Sequence, residues 1–111
     1  MIELIILNHL DNELDVPVYL EHPASAPEEF VLFEKTGSAK SETMPSATIA
    51  FQSYSDSLFG AATLNEEVKQ TVEELILLNE IRKVELNSDY NFTDTQTKRY
   101  RYQAVYEIYY Y

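Results

Sequence analysis

The last fifteen residues constrain this chain more than any other stretch: Thr97-Lys98-Arg99-Tyr100-Arg101-Tyr102-Gln103-Ala104-Val105-Tyr106-Glu107-Ile108-Tyr109-Tyr110-Tyr111. Read with a period of two, one set is Tyr100, Tyr102, Ala104, Tyr106, Ile108 and Tyr110. The other is Arg99, Arg101, Gln103, Val105, Glu107, Tyr109 and Tyr111. Side chains on a strand alternate between faces, so a large residue at every second position marks a long, half-buried strand. Tyrosine suits such a strand because its ring packs on the pleated surface while its hydroxyl reaches water or a partner. Residues 97–110 are therefore predicted as a central or near-central strand, and the remaining chain must supply its cover. One helix-covered face cannot bury so many rings, so some of Tyr102, Tyr106, Tyr109, Tyr110 and Tyr111 belong at the surface, with Tyr106 and Ile108 on a different face from Tyr109 and Tyr111.

Upstream, residues 2–12 have helical spacing, with Ile2, Ile5, Ile6 and Leu10 on one side, although their isoleucine content leaves a strand open. Val16–Glu21 reads as a short strand placed at an edge or strand start by Pro17, which lacks a ladder donor. Phe30–Lys35 is a second strand, Thr36–Pro45 a polar surface loop or flexible hairpin tip, and Ser46–Tyr54 a third strand. Ser55-Asp56-Ser57 supplies helix-capping oxygens. A helix follows to about Asn79, its inward stripe being Leu58, Ala61, Asn65, Val68, Val72, Leu75 and Ile76. Thr63-Leu64-Asn65-Glu66 also fits a capping box, which leaves a later start open. Ile81–Leu86 is a fourth strand with Val84 and Leu86 inward, and residues 87–96 turn the chain back. The order is α-β-β-β-α-β-β: an α+β fold with a mostly antiparallel five-stranded sheet and two helices on one face. A length of 111 residues matches one domain, 1–111.

Composition narrows the chemistry. Nineteen carboxylates against eight cations give a formal net charge of −11, which disfavours general affinity for nucleic acid or anionic membrane. The apolar amino terminus is short, carries Glu3 and lacks a basic leader segment, so it is expected to belong to the fold. The chain has no cysteine, so neither disulfides nor thiolate metal sites arise. Asp89, Asn91, Thr93 and Asp94 alternate like the start of a calcium loop, but Asp94 stands where glycine is needed and Tyr100 where a bidentate glutamate is needed. His9 and His22 have no partner at metal-ligand or catalytic spacing. Gly37 and Gly60 are the only glycines, so no phosphate-cradling loop exists. Lys98-Arg99-Tyr100-Arg101-Tyr102 interleaves cations and rings as single-strand platforms do, but three cations on so acidic a chain read better as the polar side of a strand. No enzyme and no cofactor are expected.

A family resemblance rests on three segments. Ala50-Phe51-Gln52-Ser53-Tyr54-Ser55-Asp56-Ser57-Leu58 joins a strand to a helix of the form Ala-Ala-x-Leu-Asn-Glu-x-Val-Lys. Glu85-Leu86-Asn87-Ser88-Asp89-Tyr90-Asn91-Phe92-Thr93-Asp94 and Arg101-Tyr102-Gln103-Ala104-Val105-Tyr106 follow in order. Together they resemble the tail-completion and tail-terminator proteins of siphophages and prophages of Gram-positive bacteria, similar to the lambda-type terminator. The resemblance implies a structural subunit in a hexameric ring at the head-proximal end of the tail tube. Its partners would be the tail-tube protein and the head–tail connector or stopper protein. Its place would be the virion neck, reached from the bacterial cytoplasm, and whether the isolated subunit is monomeric stays open. Candidate assembly residues are Lys40, Glu42, Met44, Tyr102, Tyr109 and Tyr111. The rival reading is an acidic DNA mimic or inhibitor that occupies a host nucleic-acid-binding protein.

Overall fold

A computed structural model describes residues 1–41 and 44–111. Its elements are α1 (Ile2–Glu13), β1 (Val18–Tyr19), β2 (Phe30–Ser41), β3 (Met44–Ser55), α2 (Leu58–Glu73), a 3₁₀ turn (Glu74–Leu77), β4 (Ile81–Asn91) and β5 (Tyr100–Tyr110). The five strands form one sheet in the order β1-β2-β3-β5-β4. β5 thus lies inside the sheet, between β3 and β4, as its alternation predicts.

Three features correct the expected architecture. The sheet is mixed, because β1 pairs parallel to β2 through Val18–Val31 and Tyr19–Leu32, while the other three pairings are antiparallel. The connection through residues 20–29 is long enough to bring the chain back to the same end before β2 begins. β1 is also only two residues long; the carbonyl of Pro17 accepts from Val31 N–H at 2.9 Å but its nitrogen cannot donate. The element order gains the 3₁₀ turn between α2 and β4, where a single helix to Asn79 was expected. Tightening the last turn rotates Ile76 outward, so it leaves the predicted inward stripe and is exposed, as is Leu58.

Of the surface loop or flexible hairpin tip expected over Thr36–Pro45, the hairpin is what forms, and most of the segment is strand. β2 and β3 continue as a hairpin with pairs as far as Lys40–Pro45 and Ser41–Met44. A bulge between Lys35 and Gly37, which pair with Ile49 and Thr48, shifts the register by one residue before the pairing continues through this small-residue segment. β4 likewise runs to Asn91, beyond the expected Leu86, and β5 begins at Tyr100 rather than Thr97. Leu86, paired with Tyr106, shares the helix-covered phase with Val84, but at the open sheet edge it stays 44% exposed, whereas Val84 packs against the core.

Both helices cover one sheet face. Val31, Phe33, Ala47, Ile49, Phe51, Ala104, Tyr106 and Ile108 join Ile2, Ile6 and Leu10 of α1 and Leu64, Val68 and Val72 of α2 in one core. α2 starts at the earlier of the two sequence signals: Ser57 Oγ accepts the Gly60 N–H at 2.9 Å, which satisfies one of the unpaired first-turn donors. The predicted facial split of the tail also holds within β5, with Tyr106 and Ile108 buried in the core and Tyr109 paired with Ser46 on the other phase. The molecule measures 43 × 25 × 24 Å, long along the strands.

Candidate functional site

The helix-free face of the sheet carries a polar and aromatic ladder. Arg101 Nη1 donates to Tyr54 Oη at 2.9 Å, Tyr54 Oη donates to Gln52 Oε1 at 3.1 Å, and Gln52 Nε2 donates to Gln103 Oε1 at 2.8 Å. Gln103 Nε2 then donates to Tyr90 Oη. The chain of bonds crosses β4, β5 and β3, and it gives buried Gln52 and Gln103 partners that an apolar face could not. Beside it, Phe30 and Tyr54 stack at 4.4 Å between ring centroids. His22 meets both rings edge-on at 5.7 and 5.9 Å.

Two cations close this cluster. Arg99 lies over Phe30 and Tyr54, and Arg101 over Tyr54 and, at 4.4 Å, over Phe92. Arg101 Nε also donates to the Phe92 carbonyl at 2.6 Å. The basic-aromatic run is therefore turned onto the protein's own rings and carbonyls, where it fastens the 92–99 turn to the sheet. Asp94 anchors that turn: its carboxylate accepts the backbone N–H of Gln96 at 2.9 Å and of Thr97 at 3.4 Å. These bonds, Gln96 first, hold its pKa below the ordinary 3.8.

A second polar network lies under α2. Lys69 Nζ sits 2.7 Å from both Asp89 and Glu66, and Asn65 Nδ2 donates to Asp89 at 2.8 Å. The bonds to Asp89 and then Glu66 raise the Lys69 pKa above its ordinary 10.5. Tyr106 Oη donates to Glu73 at 2.7 Å; burial first, and then Glu73, push its phenol far above 10.0. β4 reaches this network only because of its second irregularity, between Leu86 and Ser88. One extra residue in a strand reverses the phase of everything after it. That reversal pairs Asp89 with Ala104, on the helix-covered face.

Of the six candidate assembly residues, the five that are described do not form one patch. Lys40 and Met44 lie at the β2–β3 tip. Tyr109 shares the adjoining sheet row with Ser46 and Lys83, and Lys83 Nζ stands 5.4 Å from its ring centroid. Tyr111, 76% exposed, lies past β5 at the same end, with Arg82 over its ring. Tyr102 pairs with Ser53 and Asn91 seven residues back along β5, about 23 Å away at strand rise. Glu42 lies outside the described residues.

Sequence reasoning missed the Tyr54–Arg101–Gln52–Gln103 ladder. Its signal was present as polar residues on the outward phase of two neighbouring strands, but the β3–β5 register decides which of them meet. Among the described residues, no group of three or more His, Asp and Glu side chains is placed to hold a metal ion. Among the same residues no helix is long and apolar enough to cross a membrane. Compared with known proteins, the chain matches no family model and no curated sequence.

Proposed function

We propose that this protein is a structural subunit that assembles head to tail into a closed ring, as a phage tail-completion protein of the terminator type. The observation that carries the reading is the pair of unlike open sheet edges. β2 has a neighbour on its outer side only at Val31 and Leu32, leaving Phe33–Ser41 open. β4 is open along its whole outer side, Ile81–Asn91. β2 and β4 run in opposite directions through the sheet. A copy placed alongside in the same orientation therefore brings β4 against β2 antiparallel and continues the sheet. Because the two edges differ, the contact is heterologous, and a rotation that closes it makes a ring. Hexameric closure, the tail-tube and connector partners and the neck location come from the segment-level resemblance, and the proposed role is stoichiometric rather than catalytic.

Deleting the gene from its prophage is expected to leave heads and tails unjoined, or tails of uncontrolled length, in electron micrographs of induced lysates. Normal infectious particles from the deletion would overturn the proposal.

A second reading, an acidic inhibitor or DNA mimic, draws on uneven charge. Residues 1–29 and 56–80, which hold both helices, carry thirteen carboxylates and one cation, while the remaining strands and tips carry six carboxylates and seven cations. Capture of a host nuclease or repressor by the pure protein, without tail-tube or connector protein, would favour it.

A further inference from the structure

Phe59 is 83% exposed at the start of α2, and Leu77 is 79% exposed at the end of the 3₁₀ turn that continues it. Large apolar side chains so fully in water, at the two ends of one rod, are not explained by the core, which α2 already reaches through Ala61, Leu64, Val68 and Val72. Eighteen residues separate them, about 27 Å at helical rise. Between them the outward side of the rod carries Glu66, Glu67, Gln70, Glu73 and Glu74, all exposed. The one cation there, Lys69, is held between Asp89 and Glu66. Next to Phe59 a cleft of about 310 Å³ opens between α2 and the α1–β1 connection; Asp15, Glu29 and Glu67 supply carboxylates to it, and Val16 and Leu64 apolar walls.

We propose that this outer α2 surface is a docking strip for a basic amphipathic helix of a partner protein. The partner would place apolar residues on Phe59 and Leu77 and arginine or lysine against the carboxylates between them. Charge selects the occupant. A second copy laid on the same strip would oppose glutamates with glutamates, and like charges brought together at an interface disfavour the wrong partner. The copy's sheet face offers Arg99 and Arg101, but both are already engaged with Tyr54, Phe30 and Phe92. An anionic lipid surface is repelled for the same reason. A helix laid along a surface and read through spaced apolar anchors needs the arrangement seen here, with complementary charge setting the on-rate. The strip is the outward side of α2, whereas the ring contact uses the strand edges of β2 and β4, so this proposal stands apart from the ring.

The test uses the full-length protein and a fluorescently labelled synthetic helix of about 20 residues, long enough to span the strip. The helix has leucine at both ends and arginine along one face between them. A twin with glutamate for arginine and a second twin with alanine for leucine serve as comparators. Saturable one-to-one binding is expected for the arginine–leucine helix alone, seen as a rise in anisotropy that weakens with salt. Phe59→Ser with Leu77→Ser is expected to weaken it about ten-fold, the scale of losing interface anchors. Glu67→Gln with Glu74→Gln should also weaken it, chiefly through the association rate. All four side chains are exposed, so unchanged thermal melting of each pair checks the fold. Equal binding of the alanine twin, or binding indifferent to both pairs of substitutions, would show unspecific attraction to an acidic protein and overturn the proposal. Self-association abolished by Phe59→Ser would assign the strip to a second copy and overturn it equally.

Discussion

Lys98 is the one non-glycine residue with positive φ among the described residues, at 56°. It closes the turn that Asp94 anchors, with Lys98 N–H donating to the Asp94 carbonyl at 2.8 Å. An L side chain in this region crowds its own carbonyl at a cost of roughly 1–2 kcal/mol, which glycine avoids. Lys98→Gly is therefore expected to raise stability by up to about 1 kcal/mol, part of the relief being offset by the extra freedom of the unfolded chain. A lower midpoint in urea would show that the turn is held some other way. Tyr106 gives a pH-dependent counterpart. Its pKa is raised above 10.0 in the folded protein, so its contribution is complete below pH 10.0 and is lost as pH rises toward the higher folded value. Tyr106→Phe is expected to cost about 1 kcal/mol at neutral pH. It should also flatten the alkaline limb of a stability-versus-pH curve. An unchanged limb would remove the Tyr106–Glu73 bond from the account.

At the scale of elements, the β3–α2 junction is the most tightly specified joint in the chain. Ser55 Oγ donates to Glu29 at 3.1 Å, and Ser57 caps α2. Gly60 lies directly over both serines; a Cβ there would stand 3.0 Å from Ser57 Oγ and 3.1 Å from Ser55 Cβ. Alanine is the better helix former by about 1 kcal/mol, but overpacking costs roughly 1–3 kcal/mol, and here it also pushes the Ser55 hydroxyl from Glu29. Gly60→Ala is expected to destabilise by about 1 kcal/mol, read as a lower thermal midpoint. A gain would mean that Ser55 rotates aside without loss. As a poor helix former, Gly60 weakens the case for a helix that starts before it. The structure shows instead a small residue where the strand end and the first helical turn approach each other. Leu58 and Ile76 fitted the inward stripe by spacing, yet the first is the opening residue of α2 and the second lies in the 3₁₀ segment, where the period is no longer 3.6.

For the whole molecule, the proposed ring makes the open sheet edges the surfaces through which copies would meet. Lysine on an open edge opposes strand addition because its charge must stay in water. Ala39 is exposed on the open stretch of β2. Ala39→Lys is expected to leave the melting of the subunit within about 0.5 kcal/mol of wild type, as for other exposed sites. It should also lower the fraction of ring in light scattering or on tail-tube template. Ring formation unaffected by this change would move assembly away from β2. The segregated charge acts on a longer range: the carboxylate-rich helical layer and the nearly balanced sheet give the subunit two unlike sides, so orientation is biased before contact.

The alternation of Tyr102, Ala104, Tyr106 and Ile108 determined by itself that β5 is a long internal strand with two distinct faces, because side-chain direction on a strand is a property of the backbone alone. The capping oxygen of Ser57 and the spacing of Ala61, Val68 and Val72 did the same for α2. Tertiary structure decided the rest. The bulges between Lys35 and Gly37, Ile81 and Lys83, and Leu86 and Ser88 are choices of register, and register is settled by which neighbour a strand finds. The parallel placement of β1 depends on where a ten-residue connection returns the chain, and the Tyr54–Arg101–Gln103 ladder on two strands being aligned side by side. Contacts between residues distant in sequence carry these outcomes, and a period read along one segment carries no information about the segment that will lie beside it.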